Sequence, residues 1–219
     1  MVLNAYDASA VEEALVINDG SGDPVDLVCI GSTSATETIR KALAMGASDA
    51  SHLVVADGQD LDSHAVAALL AEHFEGHSYD VILTGKQSQD TDAGLAGGML
   101  AERLGLPYAT NAVGLKVEGD KVIVIRQGDG GQEILELGTP CLVTCSNDMN
   151  NPRIPALKGI MAAKRKQIAT EDASVPAVRT AVTSTFEPPA REAGIKLEGE
   201  PDEMVADLVR RLDSEAGVL

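Results

Sequence analysis

Three short apolar runs, each followed by a segment of helical period, constrain this chain more than any other feature. They are Val25-Asp26-Leu27-Val28-Cys29-Ile30, ended by Gly31-Ser32; His52-Leu53-Val54-Val55; and Tyr79-Asp80-Val81-Ile82-Leu83-Thr84. The apolar spacing predicts helices over 35–45, closed by Gly46, over about 62–74 and over about 93–104. An acidic amphipathic helix over about 9–17 precedes the first run. Strands that alternate with helices are joined by crossovers, which makes them parallel and covers both faces of the sheet. The expected fold class is α/β, a three-layer architecture on a mainly parallel, doubly wound sheet.

From Tyr108 the period changes. Branched residues alternate over 112–117, 121–125 and 134–137. Turn chemistry stands between them at Gly119-Asp120 and at Gly128-Asp129-Gly130-Gly131, where glycines permit positive φ. This predicts an antiparallel extension, after which 141–145 returns to the buried type. Beyond Ile168 the chain is polar and broken by Pro188-Pro189, then ends in an amphipathic helix over about 201–212. That tail carries too little apolar surface to fold alone. The expected organisation is an α/β domain over 1–167 and an arm over 168–219 that lies on a partner.

Of 219 residues, 17 are basic and 34 acidic, a formal charge of −17. Nucleic acid and anionic membrane surfaces both need cationic patches, so neither is expected as a partner. Acid spread over helices and loops fits a salt-rich cytosol, where counter-ions screen self-repulsion. Cys29, Cys141 and Cys145 lie in apolar runs and are expected as buried free thiols, which fits a reducing compartment. No window reaches the ~18 uninterrupted apolar residues of a membrane span. Met1-Val2-Leu3 runs straight into the first motif, so a cytoplasmic protein without signal or transit peptide is expected.

The strongest candidate site is the loop that leaves the third expected strand: Gly85-Lys86-Gln87-Ser88-Gln89-Asp90-Thr91-Asp92-Ala93-Gly94-Leu95-Ala96. A strand end followed by a helix start leaves backbone N–H groups free, and with the positive end of the helix dipole they favour a phosphate. Spacing alone leaves open a plain connecting loop with an Asp cap and small residues that close the helix on the sheet. A second candidate, Asn151-Pro152-Arg153-Ile154-Pro155-Ala156-Leu157-Lys158 and on to Lys166, gathers positive charge on an acidic chain, which by itself reads as a solvated basic helix end. His73 and His77 stand four apart, as in a zinc pair, but Gly76 ends the helix between them and no further ligand follows, so no metal is expected. No Ser-His-Asp or Cys-His arrangement stands out, and without a fold the 34 carboxylates supply too many pairs to single one out.

Several motifs occur together in one order. They are Asn4-Ala5-Tyr6-Asp7 before Ala10-Val11-Glu12-Glu13-Ala14; Ala42-Leu43-Ala44-Met45-Gly46-Ala47; Gly85-Lys86-Gln87 with Asp90 and Asp92; the hairpin Val124-Ile125-Arg126-Gln127-Gly128-Asp129-Gly130-Gly131-Gln132-Glu133-Ile134-Leu135, closing on Pro140-Cys141-Leu142-Val143-Thr144; and Asn151-Pro152-Arg153. Over residues 2 to about 212 the chain resembles the β subunits of electron transfer flavoproteins. The resemblance implies an adenine-nucleotide-hydrolase-like fold and an electron carrier rather than an enzyme. It implies one subunit of an αβ heterodimer that takes electrons from flavin dehydrogenases, such as the acyl-CoA dehydrogenases of fatty acid β-oxidation, and hands them to a membrane quinone oxidoreductase. FAD would be held mostly by the α subunit and would carry the chemistry. The matching loop from Gly85 to Ala96 would bind AMP, or a second FAD in bifurcating members. Asn4, Ala5, Tyr6 and Asp7 would line the nucleotide, with Tyr6 toward the isoalloxazine, and Ile30 would lie beside it. Leu157 would anchor the loop that docks on dehydrogenases, and the arm would wrap the α subunit.

The chain departs from the family in places. Ala93 or Gly94 and Leu95 stand where the family usually has polar Thr or Asn and Gln, which keeps backbone donors but removes side-chain hydrogen bonds. Ala5 replaces the usual Pro and is expected to loosen its loop. Ala162 stands where many members have Lys. The family also opens with a strand and loop ahead of the Asn4 motif, with no counterpart here. The first strand is therefore expected to be missing, through truncation or a mis-started chain, which leaves 25–30 and 79–84 with unpaired edges. Two alternatives stay open: a bifurcating or nitrogen-fixation-type β subunit with a second FAD in the 85–96 loop, and a stand-alone nucleotide-binding stress-type protein.

Overall fold

Each apolar run becomes a strand in the computed structural model, which describes residues 2–190 and 193–218. Helix α1 (Ala5–Ser21) leads into β1 (Asp26–Gly31), a short 3-10 turn (Thr33–Ala35), α2 (Thr36–Met45) and β2 (Asp49–Val54). Then come α3 (Ser63–Phe74), β3 (Val81–Gly85) and α4 (Ala96–Leu104). The meander is β4 (Tyr108–Glu118), β5 (Lys121–Gly128) and β6 (Gly131–Gly138), followed by β7 (Cys141–Cys145), α5 (Leu157–Arg165), β8 (Ala169–Asp172) and α6 (Pro201–Ser214). The class is α/β, as the alternation required.

Local chemistry accounts for the boundaries. Asp62 caps α3 by accepting the Ala65 N–H at 2.8 Å. Gly105, at φ 65°, closes α4 in the left-handed conformation that only glycine adopts without strain. Gly128 pairs with Gly131 across the β5–β6 hairpin, leaving Asp129-Gly130 as its two-residue turn.

One continuous sheet does not form. The order β1-β2-β8 makes a three-stranded parallel sheet, and β3-β7-β4-β5-β6 a second of five strands. In the second, β3 and β4 run parallel to β7, while β5 runs antiparallel to both β4 and β6. Among the described residues β1 pairs only with β2 and β3 only with β7, so the two edges expected to lack partners lack them there. The expected single sheet is thus corrected to two, because no strand among the described residues bridges β1 and β3.

Helices hold the two sheets side by side. Leu69 of α3 packs with Val28 and Ile30 of β1, while Ala67, Leu70 and Ala71 of the same helix pack with Ile82 of β3 and Leu142 of β7. On the other face of β1, Leu27 and Cys29 meet Ile39, Leu43 and Ala44 of α2 and Ala163 of α5. α1 lies against β3 and β7. Tyr79, ahead of β3, donates its hydroxyl to Asp26 at the start of β1 (3.3 Å).

Two further expectations are corrected. The segment 5–7, read as loop, is the first turn of α1: Asn4 takes a non-helical conformation at the cap, alanine is the best helix former, and Asp7 suits the positive helix end. The segment 169–172, assigned to the arm, pairs with β2, and Ala173 N–H continues to Val54 O at 2.8 Å. A free sheet edge is satisfied by backbone groups whatever the side chains, which is why so polar a segment forms a strand. The chain divides into Met1–Ala181 and Val182–Leu219, so 168–181 falls in the first unit. The second unit contains α6, which has no buried residue and carries Arg211 paired with Asp207 (2.9 Å) on its own surface. No helix among the described residues is long and apolar enough to cross a membrane.

Candidate functional site

The first turn of α1 and the loop after β3 meet at the carboxyl end of β3. Gly85 donates its N–H to Asp7 Oδ1 at 2.8 Å. A Cβ on Gly85 would lie 2.7 Å from that oxygen, 2.8 Å from Asp7 N and 2.9 Å from Tyr6 Cβ, so glycine is what lets the helix approach. Asn4 does not cap α1 with its side chain. Its Nδ2 donates instead to Asp7 Oδ2 (2.7 Å) and to Gln87 O (2.8 Å). The Ala5 N–H donates to Gln89 Oε1 at 3.1 Å. Residues 4–7 and 85–89, distant in sequence, are thus joined directly.

Lys86 is the cation at this junction. Its N–H donates to Cys145 O (3.0 Å), and its Nζ lies 3.3 Å from Asn111 Oδ1 and 5.3 Å from the centroid of the Tyr6 ring. Farther out the loop folds on itself. Ser88 N–H donates to Ala93 O, and Ser88 Oγ accepts the Ala93 N–H, both at 3.1 Å. Thr91 Oγ1 lies 2.8 Å from Ser88 Oγ, and Gln87 Nε2 donates to Asp92 Oδ1 at 2.9 Å. Asp92 sits at φ 53°, a conformation Asp tolerates in such turns. Asp90, Gly94 and Leu95 complete an exposed rim.

α4 begins at Ala96 without a side-chain cap, since Leu95 has no acceptor to offer, and its first N–H groups stay free. Asn4 Oδ1 and Thr84 Oγ1 are buried without a hydrogen-bond partner. Buried polar atoms left unpaired are costly, so each marks a place that a polar group can complete. With Lys86 and the open end of α4, this donor and acceptor set fits a phosphate-bearing ligand. A depression elsewhere, beside Ser32, Thr33, Asp57 and Asp172, is flanked by two carboxylates, which disfavour phosphate.

Negative charge under the junction is felt by buried thiols. Burial, with Asp7 as the second cause, pushes the Cys29 thiol up to about 11. Burial also raises Cys145, followed by the charges of Glu13 and Asp7. All three cysteines are free, Cys141 and Cys145 buried and Cys29 half-buried.

Other expected site residues stand apart. Ile30 packs against the buried cluster that holds Leu53 and Leu69. Leu157, the first residue of α5, is 76% exposed; Ile154, which the sequence reading passed over, is 93% exposed. An apolar residue set between Pro152 and Pro155 was the available signal. His73 and His77 stack with ring centroids 5.0 Å apart, and among the described residues no three His, Cys, Asp or Glu side chains gather as metal ligands.

A model of the electron transfer flavoprotein domain matches residues 1–176. The electron transfer flavoprotein subunit beta of Bradyrhizobium diazoefficiens is 42% identical over the whole of this chain and 87% of its own length. That of Bos taurus is 38% identical over 94% of this chain and 83% of its own. The caffeyl-CoA reductase-Etf complex subunit CarD of Acetobacterium woodii is 35% identical, covering 96% of this chain and 86% of its own. The chain belongs to the electron transfer flavoprotein β-subunit family.

Proposed function

We propose that the chain serves, with an α subunit, as the β half of a cytoplasmic electron transfer flavoprotein. It takes part in carrying electrons from flavin dehydrogenases, such as acyl-CoA dehydrogenases, to a quinone oxidoreductase, and it catalyses no acid–base step itself. The observation that carries this reading is the bonding of the first turn of α1 to the Gly85 loop beside an uncapped α4, with Asn4 Oδ1 and Thr84 Oγ1 unpartnered.

AMP is the ligand this site suits best. Its phosphate would take the free N–H groups at the start of α4 and the charge of Lys86, while Asn4 and Thr84 would accept from hydroxyls. Gly94 and Leu95 offer backbone groups only, and those of Ala93 are already bound to Ser88. FAD, held mostly by the α subunit, supplies the redox chemistry when bound. Tyr6 would stand on the flavin side of α1, Leu157 would anchor the dehydrogenase, and the C-terminal arm would wrap the α subunit.

Co-expression with the α subunit followed by extraction of bound nucleotides tests the reading. One FAD and one AMP per heterodimer are expected. Two FAD would move the loop from Gly85 to Ala96 to the bifurcating type, and a homodimer that binds ATP without α would overturn the heterodimer.

A further inference from the structure

The stretch that carries Ile154 and Leu157 is fastened at both ends, and its entrance is fastened by α1. Arg153 donates to Glu12 four times: its backbone N–H to Oε2 (2.9 Å), its Nε to Oε1 (3.1 Å) and Oε2 (2.9 Å), and its Nη2 to Oε1 (3.0 Å). The same Nη2 reaches Asp19 Oδ2 at 2.9 Å. Just upstream, Asn150 Nδ2 donates to Ser9 O and to Glu13 Oε2, both at 3.0 Å. Glu12 is only 7% exposed, so its charge is kept out of water by design of the contact with Arg153.

The exit is fastened as well. A Cβ on Gly159 would lie 2.6 Å from Ala44 O, so α5 meets α2 backbone to backbone. Lys166 Nζ donates to Ala47 O (2.7 Å) and to Ser48 O, and Arg40 donates to Ala163 O and Lys166 O. Between these two anchorages the tip is bare, with Ile154 and Leu157 in solvent and Pro155 between them. Side chains so exposed add nothing to the core. Four bonds to a buried carboxylate hold the loop in place before a partner arrives, and a loop already ordered loses less on docking, because ordering it then costs affinity.

We propose that Glu12 and Arg153, assisted by Asp19, are positioning residues that fix how the tip presents Ile154 and Leu157 to a redox partner. This rests on the docking role given to Leu157 above and adds Ile154 to it. α1 carries Asp7 at the Gly85 loop and Glu12 at this clamp, so one rigid helix sets both places from positions about 7–8 Å apart along its axis.

The test uses the heterodimer with Arg153→Gln, Arg153→Lys and Asp19→Asn. Two readouts are taken: hydrogen exchange over 150–157, and electron transfer from an acyl-CoA dehydrogenase reduced with octanoyl-CoA, followed against dehydrogenase concentration. Arg153→Gln is expected to speed exchange and to raise KM roughly tenfold while kcat and FAD content hold. Arg153→Lys recovers part of both, since an ammonium keeps the charge but cannot fork between Glu12 and Asp19. Asp19→Asn, at an exposed position, shifts both the same way by less and carries the test if Arg153→Gln folds poorly. Unchanged exchange in all three variants overturns the clamp. Faster exchange with unchanged KM sustains the clamp and overturns the docking role of the tip. A joint fall of kcat and FAD content with KM unmoved reduces the clamp to a prop for the fold and overturns the proposal.

Discussion

Gly85→Ala places a methyl where α1 meets β3. It would lie 2.7 Å from Asp7 Oδ1, 2.8 Å from Asp7 N and 2.9 Å from Tyr6 Cβ. The last two atoms move only if the helix moves, so no change of rotamer relieves the overlap. Overpacking of this kind costs about 1–3 kcal/mol. If α1 retreats, the overlap eases, but the charge-assisted bond from Gly85 to Asp7 is lost, at about 1.5–3 kcal/mol. The chain takes a compromise between the two, so the costs do not add, and about 3 kcal/mol is expected. For a domain of this size that lowers Tm by about 6–12 °C. The assay is a circular-dichroism melt beside a nucleotide extraction, with Gly130→Ala as control, where a Cβ meets nothing within 4 Å. Gly85→Ala melting within about 2 °C of the native chain, with nucleotide retained, would refute the close approach as the organiser of the site.

The other predictions concern separate parts of the molecule. The N–H groups of Ala65, then of Arg179 and Thr180, hold the Asp62 carboxyl down to about 2 from 3.8, so its stabilising charge is present above 3.8 and lost as pH falls toward 2. Exchange at 179–180 should accelerate over that window in the native chain and be fast at every pH in Asp62→Ala; a pH-independent native chain would contradict this. With its thiol raised to about 11, native Cys29 should resist iodoacetamide at pH 8. Mass spectrometry should find labelling at all three cysteines only after denaturation, and rapid native labelling of Cys29 would count against its burial. A chain extended at its N-terminus by roughly 30 residues, room for a strand and its connection, should pair the free edges of β1 and β3 and melt well above the present one. Equal melting and equal assembly with α would show the edges need no partner.

Elements whose cause is local were legible in the sequence. The helix over about 62–74, Asp129-Gly130 turning a hairpin and the buried run at 141–145 each depend on a few adjacent residues. The site was half legible: the Gly85 loop announces itself by its glycines and its place after a strand. Its bonding to Asn4 and Asp7 spans 83 and 78 residues and leaves no local pattern. The same holds for Glu12 and Arg153, 141 residues apart. Glu12 reads as one more surface acid in an acidic helix until Arg153 arrives. β8 was missed for the opposite reason, since Ala169-Thr170-Glu171-Asp172 has no strand pattern and owes its form to the edge of β2.

Among the described residues β1 and β3 share no ladder, so apart from the chain connections the two sheets are coupled chiefly through side chains, those of α3 above all. Hydrogen-bonded ladders fail together, whereas side-chain contacts across a seam yield one patch at a time. The three-stranded sheet is therefore expected to open at a free energy below that of global unfolding, while β7, buried at all five residues, is expected to keep its protection longest, an order that hydrogen exchange checks. The Gly85 loop leaves the durable sheet, and Ser32 and Thr33 leave the labile one. Any ligand that touched both would act as a rivet between two foldons.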